Sequence, residues 1–179
     1  MSSGFLLDTN VLSELMREHP AAAVLDWFAQ NKHAVMHTST VTQAEILTGI
    51  ALLPTGKRRT ALAVAAEQMF EQDFAGRCLE FNAAAAKNYA LVVAARSRQG
   101  QPISTEDAQI AAIALATGLT VATRNTKDFE NMEGLTLANP WQAILVIASE
   151  AWQSSPALCA ELPSYQPLML GNSLEIHGV

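Results

Sequence analysis

The sequence predicts an α/β fold of three layers, α/β/α, with helices on both faces of a central, mostly parallel sheet. Three observations carry this. Apolar runs of three to five residues alternate with longer amphipathic or Ala-rich stretches over the first 141 residues. The runs are short enough for strands and the stretches long enough for helices. Capping residues or breakers stand at most of the boundaries between them, and strands separated by helices favour parallel pairing.

The elements follow in order. Phe5–Leu7 reads as a short buried strand that meets Asp8. Asn10 to Glu18 places Val11, Leu12, Leu15 and Met16 on a helical stripe that stops before Pro20, and Pro20 to Gln30 forms a second helix around Val24, Leu25 and Phe28. Ala34–Thr38 is the next strand. Thr42 then opens a helix, with Thr42 and Glu45 spaced as a capping box. Pro54 to Arg59 reads as a turn carrying Lys57, Arg58 and Arg59, and Thr60 to Phe70 as an Ala-rich helix. Leu79–Phe81 is a short strand, followed by a long helix from Asn82 to about Arg98. Gly100 and Pro102 break that helix. Ser104 and Asp107 begin the next, which ends at Gly118. Leu119–Thr123 is a strand, Asn125 to Asp128 one further helical turn, and Leu135–Leu137 a last strand closed by Asn139-Pro140-Trp141.

Composition narrows the classes. Half of the 179 residues are hydrophobic and 16% are charged, a globular balance with material for a sizeable core. The net charge of −6 excludes a globally basic nucleic-acid binder. The first 141 residues hold all 11 basic and 14 of the 17 acidic residues, so residues 1–141 read as one domain and 142–179 as a tail. Cys78 and Cys159 form no CxxC or Cys/His pattern, and the four histidines show no metal-ligand spacing. The first apolar run is too short for a signal peptide, and no run is long enough to span a bilayer. The expectation is a reduced, cytoplasmic chain without membrane contact.

Four acids stand out: Asp8, Glu45, Asp107 and Asp128. Singly, the last three read as helix-start acids, which the macrodipole favours. Together they gain a second meaning. In an open parallel sheet, the carboxyl ends of the strands and the starts of the following helices share one edge, where ligands bind. Four acids from four distant segments then converge. Convergent carboxylates repel unless a cation offsets them, and an all-oxygen donor set favours Mg²⁺ or Mn²⁺ over zinc. Such ions activate water against a phosphodiester. Thr9, Asn10, Ser104 and Asn125 lie beside the acids and suit a supporting role. Arg124 is placed to meet a backbone phosphate, or is an ordinary surface arginine.

The stretches "LLDTNVLSEL", "TVTQAEILTGIALLPTGKRR", "PISTEDAQIAAIA" and "ATRNTKDFE", in this order, resemble the PIN-domain nucleases over about residues 4–141. The likeness is greatest to VapC/FitB-type toxins of bacterial type II toxin–antitoxin modules. The resemblance implies a PIN-like α/β/α fold and a Mg²⁺- or Mn²⁺-dependent endoribonuclease site. It assigns Asp8, Glu45 and Asp107 as the first three acids. Asn125 and Asp128 compete for the fourth corner, and Asp128 is the acid available there. It also implies an RNA substrate, a homodimer and a cognate DNA-binding antitoxin. The Ala-rich faces of residues 60–69 and 83–95 permit close helix approach, and one of them is expected to form the homodimer seam or the antitoxin groove. The alternatives are a non-catalytic module that binds metal or a partner, and a housekeeping RNA-processing nuclease.

Overall fold

The computed structural model describes residues 4–142. The expectations for the tail from Ala143 onward, with Cys159 and His177, lie outside the described residues.

Five parallel strands form the sheet: β1 (Gly4–Leu7), β2 (Val35–Ser39), β3 (Cys78–Leu79), β4 (Thr120–Ala122) and β5 (Leu137–Ala138), in the spatial order β3-β2-β1-β4-β5. Among these strands every pairing is parallel, with Leu6 opposite both His37 and Val121, and Leu7 opposite Ala122. The helices are α1 (Thr9–Leu15), α2 (Ala22–Gln30), α3 (Thr40–Ala51), α4 (Lys57–Gln68), α5 (Ala83–Arg98), α6 (Thr105–Thr117) and α7 (Thr126–Phe129).

The strand period of two divides the core. Leu7 and Ala122 point to one face, where they pack with Val11, Leu12, Trp27 and Ile46 from α1, α2 and α3. Leu6 and Val121 point to the other, against Ala85, Ile110, Ile113 and Phe129 from α5, α6 and α7. This is the expected three-layer arrangement.

Most boundaries follow the local chemistry. Asn82 caps α5 by accepting from the N–H groups of Ala84 and Ala85. Arg96 and Arg98 lie in its last turn, where cations suit the dipole. Gly118 ends α6 in the left-handed conformation, φ 68°.

Several expectations need correction. The strand β2 runs on to Ser39, and it is Ser39 that caps α3: its hydroxyl accepts from the N–H of Thr42. Thr42 is therefore inside the helix, and Glu45 stands in its second turn rather than closing a capping box. Lys57, Arg58 and Arg59 are not a turn but the start of α4, whose first turn carries no acid. That helix then passes into a π-helical turn, Met69–Asp73. The wider turn lets Met69, Phe70 and Phe74 all reach the first core. The helix expected over residues 10–18 ends at Leu15, and the strands near residues 79 and 137 are two residues each. The Ala-rich face of α5 is partly spent inside the chain, because Ala85 is buried in the second core.

Candidate active site

The topology creates a crevice. From β1 the chain leaves toward α1 on one face, and from β4 toward α7 on the other. The two strands are neighbours, so their carboxyl ends diverge at a topological switch point, where open α/β sheets bind ligands. Asp8 follows β1 and Thr123 follows β4. Helix α6 runs back toward β4, so its start returns to the same edge, and α3 begins there directly from β2.

Asp8 is the buried centre, 4% exposed. Its Oδ1 accepts from the N–H of Thr9 at 2.7 Å. Its Oδ2 accepts from the Thr123 hydroxyl at 2.7 Å and from the Asn10 amide at 2.5 Å. Asn10 also donates to Thr123 Oγ1 at 3.0 Å and accepts from the Arg124 N–H at 3.0 Å. One amide thus ties the loop after β1 to the loop after β4. Thr9 turns its hydroxyl the other way, to Glu45 Oε2 at 2.7 Å. Asp107 accepts from the Ser104 hydroxyl at 2.7 Å, while Ser104 caps α6 by accepting from the Asp107 N–H.

The acids share one electrostatic neighbourhood. Burial pushes the Asp8 carboxyl up to about 6; the hydrogen bonds from Thr123 and Thr9 pull it down, and the charges of Asp107 and Glu45 raise it further. Glu45 is raised by burial, with Asp107 and Glu106 adding to it. Asp107 is raised by burial, with Asp128 and Glu106 adding to it. Asp8, Glu45 and Asp107 therefore come together, and Asp128 joins through Asp107. Even so, among the described residues no three His, Cys, Asp or Glu side chains stand close enough to form a ready-made ligand set. Asp8, which is buried, and Glu45 and Asp107, which are half-buried, are each turned to a neighbouring hydroxyl instead.

At the uncertain corner, Asn125 precedes α7 and makes no side-chain cap; its backbone N–H donates to Thr123 Oγ1. Asp128 lies in the first turn of α7, exposed and facing the field of Asp107. Residue Thr123 was missed by sequence reasoning, which counted it only as the end of a strand. Its hydroxyl touches Asp8, Asn10 and Asn125, and it is fully buried. Beside Glu45 the site opens into a cleft of about 600 Å³ between α3 and α6, bordered by Val41, Gly49, Phe81, Glu106 and Gln109.

Comparison with known proteins agrees with this fold. The PIN-domain family matches residues 5–135. The plasmid stability protein StbB of Pseudomonas syringae pv. tomato is 47% identical over 138 residues, 77% of this chain and 99% of that protein. The VapC ribonuclease Y4jK of Sinorhizobium fredii is 41% identical over 76% of this chain and 97% of its own length. Among solved structures, FitAB bound to an IR36 DNA fragment superposes with a TM-score of 0.68 at 36% identity, covering 77% of this chain and 96% of the other.

Proposed function

This chain belongs to the PIN-domain family, on its VapC/FitB toxin branch, and we propose that it is a divalent-metal-dependent endoribonuclease, the toxin of a type II toxin–antitoxin module. The observation that carries the reading is Asp8, buried at the switch point and held by three donors within the fields of Glu45 and Asp107.

The donor chemistry fits a hard cation. Asp8, Glu45, Asp107 and Asp128 offer only carboxylate oxygens, and mutual repulsion raises the affinity of such a group for a divalent ion. Asp8 and Asp107 would hold Mg²⁺ or Mn²⁺, with Glu45 and Asp128 beside them. When bound, the cation supplies charge neutralisation and a water more acidic than bulk.

The protein's own residues do the placing. Thr123, Asn10 and the Thr9 N–H fix the Asp8 carboxylate in one orientation. Thr9 holds Glu45 and Ser104 holds Asp107 at the rim of the crevice. Glu45 is positioned to orient a water for attack on a phosphodiester. The cleft beside Glu45 leaves room for the nucleotide next to the cleaved bond. The related structure of FitAB on DNA supports a cognate DNA-binding antitoxin as partner, and we propose that the toxin acts in the cytoplasm as a homodimer.

The test is RNA cleavage by the purified chain in Mg²⁺, with the cut ends mapped by sequencing, wild type against Asp8→Asn. Wild type is expected to cut at defined sites and Asp8→Asn to lose that activity while keeping its circular dichroism spectrum. A well-folded Asp8→Asn protein that cuts as fast as wild type overturns the assignment. Growth arrest on expression, relieved by the product of the adjacent gene, separates a toxin from a housekeeping nuclease.

A further inference from the structure

We propose that Trp141 is the positioning residue for Arg124, and that its ring holds the Arg124 guanidinium as the arm of this site that meets an RNA phosphate. The inference rests on the nuclease reading above.

The two residues leave adjacent strands at the same edge. Val121 and Ala122 of β4 pair with Leu137 and Ala138 of β5 in parallel register, so the segments that follow run side by side. Arg124 lies two residues past β4 and Trp141 three past β5. The Arg124 guanidinium sits 5.3 Å from the centre of the Trp141 ring. Both ends of this contact are anchored. The Arg124 backbone N–H donates to Asn10 Oδ1 at 3.0 Å, and the same Asn10 amide holds Asp8. Trp141 packs against the first core, and its backbone N–H donates to Asn139 Oδ1 at 3.0 Å.

The guanidinium itself is unspent. Arg124 is exposed, and among the described residues its side chain makes no hydrogen bond and no ion pair. Stacking on a ring uses the face of a guanidinium and leaves its in-plane N–H donors free. Those donors form the fork that binds a phosphate through two parallel hydrogen bonds. An acid-lined crevice repels a polyanion, so a cation fixed at its rim has a defined task. A flexible arginine would lose rotamer freedom each time it bound; one already seated on Trp141 loses less.

The experiment measures the Kd of end-labelled bulk tRNA and the KM and kcat of its cleavage in Mg²⁺. It compares the wild-type chain with Arg124→Ala, Arg124→Lys, Trp141→Phe, Trp141→Leu and the Arg124→Ala/Trp141→Leu pair. Arg124→Ala is expected to weaken Kd and raise KM by about tenfold. It should also lower the salt slope of binding by about 0.7, one phosphate contact on a single strand. Trp141→Leu is expected to raise KM about threefold with kcat kept, Trp141→Phe to behave like wild type, and the double variant to be no worse than Arg124→Ala. Equal Kd for wild type and Arg124→Ala overturns the phosphate contact. Multiplicative losses in the double variant overturn the positioning role. Should Trp141→Leu unfold, Arg124→Lys decides: it keeps the charge but not the planar guanidinium, so wild-type KM in that variant overturns the proposal. Failure of the wild-type chain to cleave any RNA counts against the nuclease reading, and the Kd arm is read independently of it.

Discussion

The hydroxyl of Thr123 donates to Asp8 Oδ2 over 2.7 Å, joining the ends of two neighbouring strands 115 residues apart in sequence. The same oxygen accepts from the Asn10 amide and the Asn125 N–H, each at 3.0 Å. A hydroxyl has one donor and two acceptor positions, so every one is in use. Thr123→Val keeps the shape and removes all three. It should lower stability by about 2–3 kcal/mol, since a buried carboxylate and two N–H groups lose a partner. RNA cleavage should fall at least about tenfold, because Asp8 is then free to turn. Thr123→Ser should keep most of both. Urea melts and cleavage rates of the three proteins check this; wild-type cleavage by Thr123→Val would separate the hydroxyl from the site's work.

The buried Asp8 also predicts how stability depends on pH. Its carboxyl titrates near 6 in the fold and near 3.8 when free, so between these values the folded state binds the extra proton. Stability from this group is therefore greatest below about pH 4 and is lost as pH rises through about 6, in total about 3 kcal/mol. Glu45 and Asp107 shift in the same direction and add to the trend. Thermal melts in chelator should show the melting temperature falling from pH 4.5 to pH 7 through this contribution, and Asp8→Asn should flatten that fall. Mg²⁺ or Mn²⁺ at pH 7 should raise the wild-type melting temperature more than that of Asp8→Asn, because a ligand stabilises only the state that binds it. An equal rise in both proteins would place the cation elsewhere.

The contrast between Asp107 and Thr123 shows what sequence can reveal. Ser104 and Asp107 are three residues apart, and a cap depends only on such local spacing, so the start of α6 was legible. So was the end of β1 at Asp8, where an acid stops an apolar run and caps α1. The local reading of Glu45 as a capping-box acid was wrong. Thr42 fits a capping box, but β2 extends to Ser39 to pair with Leu79, and that pairing moves the cap back by three residues. Thr60 to Phe70 was legible as a helix, but the first turn of α4, Lys57 to Arg59, was not, because three cations at a helix start oppose the dipole. Thr123 acquires its role only from strand pairing, which no neighbouring residue reports.

Ser104 gives a prediction in which stability and activity separate. Ser104→Ala removes the cap of α6 and should cost about 1 kcal/mol. It also releases Asp107 from its hydroxyl partner. Ser104→Asp restores the cap, since Asp is a good N-cap residue, but adds a charge beside Asp107. Denaturant melts should therefore rank Ser104→Asp near wild type and Ser104→Ala below it. Cleavage should be lowest for Ser104→Asp, because repulsion displaces Asp107 or holds it protonated. If activity simply follows stability across the three, the Ser104 hydroxyl acts only as a cap.

Arg96 carries the last prediction. It is 7% exposed in α5, and its Nη1 donates to Gln101 Oε1 at 3.0 Å and to the Glu130 carbonyl at 3.1 Å. Gln101 lies in the connection before α6, and Glu130 closes α7, so one guanidinium group links the segments that carry Asp107 and Asp128. Lysine, with its ammonium on a flexible stem, does not hold a donor at the fixed position of Nη1. Arg96→Lys and Arg96→Met are both expected to lower stability by about 1–3 kcal/mol. The effect on the site should exceed the effect on the fold: amide exchange over residues 126–130 should quicken in Arg96→Lys at temperatures where the rest of the chain stays protected. Exchange that accelerates evenly across the domain would show that Arg96 supports the core in general and does not join α6 to α7.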